Sequence, residues 1–200
     1  FAFGGLVYGF SGLGQQGEAD AVIPPGAAIT VGAVALVLFV WRQLLLQRRD
    51  RALLDLRVFR STQFTISIGL VSVSFLALFG TLILLPLYMQ YVLGHDTLVT
   101  GLTILPGGLA MGLLAPVVGR LYDRFGPRPL VIPGAGLVSA VLWTMTLFGT
   151  DTPVEAVVVT HVLMSLGLGL MFTPLLTGAL SSLEPGLYSH GSAVGGTIQQ

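Results

Sequence analysis

The sequence predicts an all-α membrane protein with about six membrane-spanning helices and the start of a seventh. Charged residues make up only 9% of the 200 residues and hydrophobic residues 54%, whereas ordinary soluble proteins carry about 25% charged residues. The uncharged runs 61–95, 97–119 and 129–150 each reach the ~20 residues that a helix needs to cross ~30 Å of hydrocarbon. The 27 Gly and 11 Pro are spread through apolar stretches rather than gathered into linkers. These observations exclude a soluble domain, a collagen and a disordered chain.

Short polar breaks separate the predicted spans. The run 61–95 would measure about 52 Å as one helix, so part of it must lie in the membrane interface. The chain begins with Phe inside an apolar run, and we expect it to be an internal fragment of a longer protein. The predicted spans are 1–13, 25–46, 64–92, 98–118, 130–149 and 154–176, with another beginning after about 190.

The distribution of arginine predicts the orientation of the spans. All nine basic residues are Arg, six of them between 42 and 60 and three between 120 and 128. The alternate breaks contain acidic residues and no Arg. Because positive charge collects in cytoplasmic loops, segments 47–62, 119–129 and 177–190 should face the cytoplasm. The chain should therefore be a multi-pass protein of a cell membrane, either a bacterial inner membrane or a plasma membrane.

Composition also limits the partners and cofactors. The net charge is zero, which gives no electrostatic reason to expect a nucleic-acid partner. The chain contains no Cys, so disulfides and thiolate metal sites are excluded. It contains no ATP-binding motif, and we expect neither a metal nor another cofactor. The lipid bilayer is the partner that the composition predicts.

The most specific motif lies in the predicted cytoplasmic turn 119–128. An Asp near the end of one span and the start of the next can accept hydrogen bonds from Arg or from free backbone N–H groups, and it favours the positive end of a helix dipole. Such a turn could latch two helices, or its charges could simply solvate a short loop. The motif residues are Gly119, Arg120, Leu121, Asp123, Arg124, Gly126 and Arg128.

These residues resemble the G-x-L-x-D-R-x-G-x-R loop motif of the major facilitator superfamily, in the copy found in the C-terminal half. The segments Leu-Leu-Pro-Leu-Tyr-Met-Gln, Leu-Pro-Gly-Gly, Phe-Thr-Pro-Leu and the glycine-containing end 192–200 resemble the fourteen-span drug/proton antiporter branch in the same order. The resemblance covers nearly the whole chain. It implies a partial helical bundle of the major facilitator type, in which 1–60 form two linking spans and a basic cytoplasmic loop. Residues 61–200 would then be the first four helices of the C-terminal half and the start of the fifth.

The resemblance implies a secondary transporter that exports small hydrophobic or cationic compounds in exchange for protons by alternating access. The N-terminal half of the same protein would be a further partner, and the coupling carboxylates of the family belong to that half. Two departures are visible: Pro127 stands where the family often has a basic residue, and Met164-Ser165 where it often has a polar residue before Gly. Transport of another small solute remains an alternative.

A substrate cavity in this superfamily is lined by the first, second, fourth and fifth helices of each half. The span 130–149, with Trp143, should therefore face lipid. His161 is the only ionisable residue well inside a span, about 15 Å below Asp151. Such a residue suggests function, but a neutral histidine that hydrogen-bonds between helices is the interpretation we prefer. The candidate cavity residues are Phe75, Phe79, Tyr88, Gln90 and His161.

Several Gly and Pro residues are expected to shape the helices. Small residues that alternate by four and three, as in 108–119, let another backbone approach closely, and proline bends a membrane helix. These residues predict packing and hinges rather than chemistry. The candidates are Pro86, Gly108, Gly112, Pro116, Gly169 and Pro174.

An intramembrane serine protease is a remote alternative. Gly9-Phe10-Ser11-Gly12 has the form of the nucleophile motif of rhomboid proteases, and His161 could serve as the base. In those proteases, however, a Trp-Arg loop precedes the serine, whereas Trp41-Arg42 follows it here. Four-residue matches arise readily by chance in Gly- and Ser-rich spans, so we do not expect an enzyme.

Overall fold

The described part of the chain is helical and forms two compact units. The computed structural model describes residues 2–14, 24–47 and 54–199. The units are residues 1–57 and 58–200. Within the described ranges no strand is present, and the predicted all-α class is confirmed.

The first unit is a pair of packed helices. Helix α1 is Ala2–Gly14 and α2 is Pro25–Gln47. Their backbones approach closely at Gly5, where an added Cβ would lie 3.1 Å from the carbonyl oxygen of Ala28 and from Cα of Gly32. A 3₁₀ turn, Leu56–Arg60, ends the basic segment. Residues 48–53 of that segment lie outside the described ranges.

The second unit contains five α-helices in chain order. Helix α3 is Thr62–Leu87, and the π-helical turn Tyr88–Val92 continues it. Helix α4 is Thr97–Phe125 and α5 is Arg128–Met145. Helix α6 is Val154–Ser181, and α7 is Tyr188–Ile198.

Five described helices, α2 to α6, are long and apolar enough to cross a membrane. Helix α1 has 13 described residues, fewer than the ~20 that a perpendicular span needs. Two of the predicted breaks between spans begin too early in the sequence. Segment 119–129 was expected to be a turn, but α4 continues to Phe125 and the turn is confined to Gly126 and Pro127. Segment 177–190 likewise begins inside α6, which ends at Ser181.

Local chemistry explains where these helices begin and end. Ser61 caps α3 by accepting a hydrogen bond from the Phe64 N–H, and Asp96 caps α4 by accepting from the Val99 N–H at 2.7 Å. Capping side chains satisfy N–H groups that the first turn of a helix leaves unpaired. Gly126 ends α4 with φ of 77°, a backbone conformation that favours glycine.

Helix α6 is the centre of the second unit. It packs against α3, α4, α5 and α7, and 56% of the residues in its most apolar stretch are buried. No other described span is buried to that extent. The main hydrophobic cluster joins it to α3 and α5. Its buried members are Val71, Val138, Val141, Met164, Leu168, Met171 and Leu175.

Two glycines set the distance between α5 and α6. A Cβ added to Gly134 would lie 2.9 Å from the carbonyl oxygen of Gly167 and 2.8 Å from Cγ of Met171. A Cβ added to Gly167 would lie 2.8 Å from Cγ2 of Val138. Neither position accepts a side chain without displacement of its neighbours. The two helices therefore approach through paired glycines, as is common in membrane interiors.

We predict that Gly134→Ala destabilises the full-length protein. The added methyl group forces α5 away from α6, and overpacking of this kind costs about 1–3 kcal/mol. Gly136→Ala on the same helix is the matched control, because an added Cβ there meets no atom within 4 Å. Thermal unfolding in detergent should show a lower midpoint for Gly134→Ala only. Equal midpoints for the two variants would contradict the close packing of α5 on α6.

Candidate functional site

His161 lies in the seam between α4 and α6, which we define by His161 and Ser165 on α6 and Thr103 and Gly107 on α4. Its side chain is only 7% exposed. A Cβ added to Gly107 would lie 2.5 Å from His161 Cδ2 and 2.6 Å from Ser165 Oγ. Gly107 is therefore the residue that makes room for the imidazole.

The hydroxyl groups of the seam are used within their own helices. Ser165 Oγ donates to the His161 carbonyl oxygen at 2.9 Å, and Thr103 Oγ1 donates to the Val99 carbonyl oxygen at 2.9 Å. The imidazole hydrogen-bonds to the backbone of Ile104, but its Nδ1 has no partner. Among the described residues, His161 Nδ1 is the only buried side-chain nitrogen or oxygen without a hydrogen-bond partner.

The candidate aromatic residues of α3 form a row of rings that reaches α6. The rings of Phe75 and Phe79 stack with centroids 5.9 Å apart, and Phe75 lies 4.7 Å from the ring of Phe172. Phe79 is exposed, whereas Phe75 is half-buried. The row therefore connects the exposed ring of Phe79 to the main hydrophobic cluster, against which Phe75 and Phe172 pack.

Tyr88 takes part in a different feature, an apolar cavity of about 450 Å³ between α3 and α5. Its hydroxyl donates to the Gly149 carbonyl oxygen at 2.6 Å, and its ring stacks on Phe148. Thr81 also lines this cavity. Gln90, in the π-helical turn, is exposed and does not line it.

The five candidate cavity residues therefore do not meet in one place. Phe75 and Phe79 contact one another, Tyr88 lines the cavity beside α5, and His161 lies in the α4–α6 seam. A shared substrate cavity remains a prediction. Trp143 of α5 is 76% exposed, as expected for a residue in contact with lipid.

The motif that the sequence predicts to be cytoplasmic is mostly helical. Gly119 to Phe125 are the last two turns of α4, and the Gly126 N–H donates to the Tyr122 carbonyl oxygen at 2.8 Å. Arg124 lies over the ring of Phe125, 5.1 Å from its centroid. Asp123 is exposed and makes no ion pair with a described residue. It does not cap α5, whose N-cap Pro127 has no side-chain hydrogen bond.

The residues predicted to form hinges or packing contacts lie in different environments. Pro86 precedes the π-helical turn Tyr88–Val92, a local change of helix type that is often found at functional sites. Gly169 packs on α4, since an added Cβ would lie 3.3 Å from Cδ2 of Leu114. Pro116 is exposed on α4, whereas Pro174 is buried in α6.

The prediction that another helix approaches closely at Gly108 and Gly112 is wrong. An added Cβ at either position meets no described atom within 4 Å. The face of α4 that packs on α6 carries Gly107 instead, and its buried neighbours Thr103 and Thr100 lie one and two turns earlier. Gly107 and Gly108 are adjacent and chemically identical, so spacing alone could not assign the contact to one of them.

The comparisons with known proteins agree with the fold. A family model described as Major Facilitator Superfamily matches residues 2–200. The chain is 40% identical over 198 residues to the lincomycin resistance protein LmrB of Listeria monocytogenes, an alignment that covers 99% of the chain and 41% of that protein. It is 32% identical over 174 residues to the multidrug resistance protein Stp of Mycobacterium tuberculosis. That alignment covers 83% of the chain and 32% of that protein.

A third relative aligns over the same share of the chain as the Listeria protein. The chain is 33% identical over 198 residues to the lincomycin resistance protein LmrB of Bacillus subtilis, covering 99% of the chain and 41% of that protein. The chain thus spans about two fifths of the length of these LmrB relatives. No solved structure is significantly similar to it.

Proposed function

Because this chain belongs to the major facilitator superfamily, we propose that it forms part of a fourteen-span exporter. Residues 1–60 would supply the two linking spans and a basic cytoplasmic loop. Residues 61–200 would supply the first four helices of the C-terminal half and the start of the fifth. The family is one of membrane transporters rather than enzymes, and the remainder of the exporter, including its N-terminal half, completes the transport path.

The proposed activity is export of hydrophobic, often cationic, compounds in exchange for protons. The observation that carries it is the 40% identity, over 99% of the chain, to a protein named for lincomycin resistance. Similarity to a second protein named for multidrug resistance supports the same class of substrate. Alternating access would arise from rocking of the two halves about a site near the middle of the membrane.

The cytoplasmic motif is proposed to hold the exporter closed on the cytoplasmic side. Arg120, Asp123, Arg124 and Arg128 are all exposed, and Asp123 has no ion-pair partner among the described residues. These charges are therefore available to groups on the remainder of the protein when the two halves come together. A carboxylate bound by Arg or by backbone N–H groups forms stronger hydrogen bonds than a neutral acceptor.

We predict uptake of lincomycin by inside-out membrane vesicles that contain the full-length protein. A lumen more acidic than the medium should drive uptake, because export from a cell corresponds to entry into such a vesicle. An uncoupler should abolish the uptake, and vesicles without the protein are the control. Uptake that persists without a pH gradient would reject proton coupling. Absence of uptake for lincomycin and for apolar cations would reject the drug-exporter class in favour of another solute.

We predict that Asp123→Asn lowers this uptake about tenfold or more while the amount of protein in the membrane is unchanged. Loss of a hydrogen bond to a charged group costs about 1.5–3 kcal/mol, and the loss falls on the closed cytoplasmic state only. Asp151→Asn is the matched control, because Asp151 is an exposed acid in a break without Arg. An uptake rate of wild-type size in Asp123→Asn would remove the latch.

A further inference from the structure

The unpartnered Nδ1 of His161 is the starting observation. A polar atom buried away from water normally has a hydrogen-bond partner, because nothing in an apolar interior replaces the water that it has lost. The neighbouring hydroxyl of Ser165 does not supply one, since it donates to a carbonyl oxygen of its own helix. Nδ1 is fully enclosed, so in this conformation no group from outside the seam reaches it.

Pro106 lies inside α4, one residue before Gly107. Proline has no N–H, so the carbonyl oxygen of Leu102 lacks the hydrogen bond that an ordinary residue at position 106 would give it, and a helix bends readily at such a point. Gly107, the next residue, lies against the imidazole edge, with its added Cβ 2.7 Å from Nε2. A bend at Pro106 would lift Gly107 away and leave the ring free to turn Nδ1 outward.

The surroundings of the ring carry no charge that could pair with an imidazolium ion. On α6 the nearest ionisable residue is Glu155, six positions or about 9 Å along the helix from His161. On the α4 side, His95 and Asp96 precede the helix, and Arg120 lies about 20 Å beyond Gly107. Helix α3 has no Asp, Glu, Lys, Arg or His, and α5 has only Arg128 at its start. His190 lies on α7 and has its own interaction.

We propose that the α4–α6 seam is a solute-contact site, in which His161 Nδ1 accepts a hydrogen bond from an O–H or N–H of the exported compound. The site selects an apolar body that carries at least one hydrogen-bond donor. It opens when α4 bends at Pro106 and closes when Gly107 returns to the imidazole. The inference rests on the proposed export function and names one contact and one chemical requirement of it.

Two cations distinguish a hydrogen bond between His161 and the solute from a packing role of His161 and from a role in proton coupling. Ethidium is an apolar aromatic cation with amino groups that donate hydrogen bonds, and tetraphenylphosphonium is an apolar cation without a donor. Equilibrium binding of each is measured on the purified full-length protein. His161→Leu should raise the Kd for ethidium about five- to tenfold, the effect of one lost hydrogen bond, and leave the Kd for tetraphenylphosphonium within about twofold of wild type.

Three further variants keep the test decisive. His161→Gln retains an acceptor oxygen and should restore ethidium binding to within about twofold of wild type. His161→Met removes the ring nitrogens with an unbranched side chain and replaces His161→Leu if that variant does not fold. Thr160→Val is the matched control, because Thr160 is buried beside His161 and its hydroxyl donates to the Ala156 carbonyl oxygen at 2.6 Å. It should bind both probes as wild type does.

Several outcomes would overturn the inference. Equal weakening of both probes by His161→Leu and His161→Gln would make His161 a packing residue. Unchanged binding of ethidium in His161→Leu, or no binding of ethidium to the wild type, would exclude the seam as a site for donor-bearing solutes. Wild-type binding of both probes by His161→Leu, with export lost, would assign His161 to proton coupling. Donor-selective binding without any export by the wild type would instead reject the proposed function and leave the site intact.

Discussion

The contact of α6 with α4 and α5, at distances that only glycine permits, is the constraint on which the rest of the structure depends. Lipid tails are as apolar as leucine, so burial of apolar surface does not drive helices together inside a bilayer, and close van der Waals packing takes its place. Gly134 and Gly167 provide that approach toward α5, and Gly107 provides it toward α4. Helix α6 is consequently the most enclosed described span, and His161 is enclosed with it.

The apolar interior of the membrane also explains why the unpartnered Nδ1 of His161 is unusual. Without water, each polar group must find a partner inside the protein, and the hydroxyls of Thr100, Thr103 and Ser165 do so through carbonyl oxygens of their own helices. A neutral imidazole has one N–H donor and one acceptor nitrogen, and an acceptor nitrogen cannot pair with a carbonyl oxygen, which is itself an acceptor. The enclosed Nδ1 of His161 is therefore the point where the seam retains an unused capacity for a hydrogen bond, and its ring lies against Gly107, the residue that follows Pro106.

Hydropathy predicted the spans because uncharged runs of 20 residues or more have few other stable structures, and the helical class followed from them. Hydropathy did not predict where the helices end, because it indicates which residues lie in the hydrocarbon and not which residues are helical. Helix α4 continues beyond its apolar run through Arg120, Asp123 and Arg124 and ends at Gly126. The seam was only half predicted. His161 was identifiable as an isolated ionisable residue, but its partner Gly107 was not, because the choice between Gly107 and Gly108 depends on the rotation of α4 about its axis.

Opening of the α4–α6 seam is tested most directly by a reversible cross-link between the same two helices, one turn from Gly107 and from Ser165. A Cβ at Gly169 would lie 3.9 Å from Cα of Met111. These 200 residues contain no Cys, so, with any Cys in the remainder of the protein replaced by Ser, Met111→Cys with Gly169→Cys should form a disulfide under mild oxidation. Gly112→Cys with Gly169→Cys, on the exposed face of α4, should not. We expect the cross-link to stop vesicle uptake and a reducing agent to restore it. Absence of the cross-link, or uptake at the wild-type rate while it is intact, would contradict a seam that is tightly packed at rest and opens during transport.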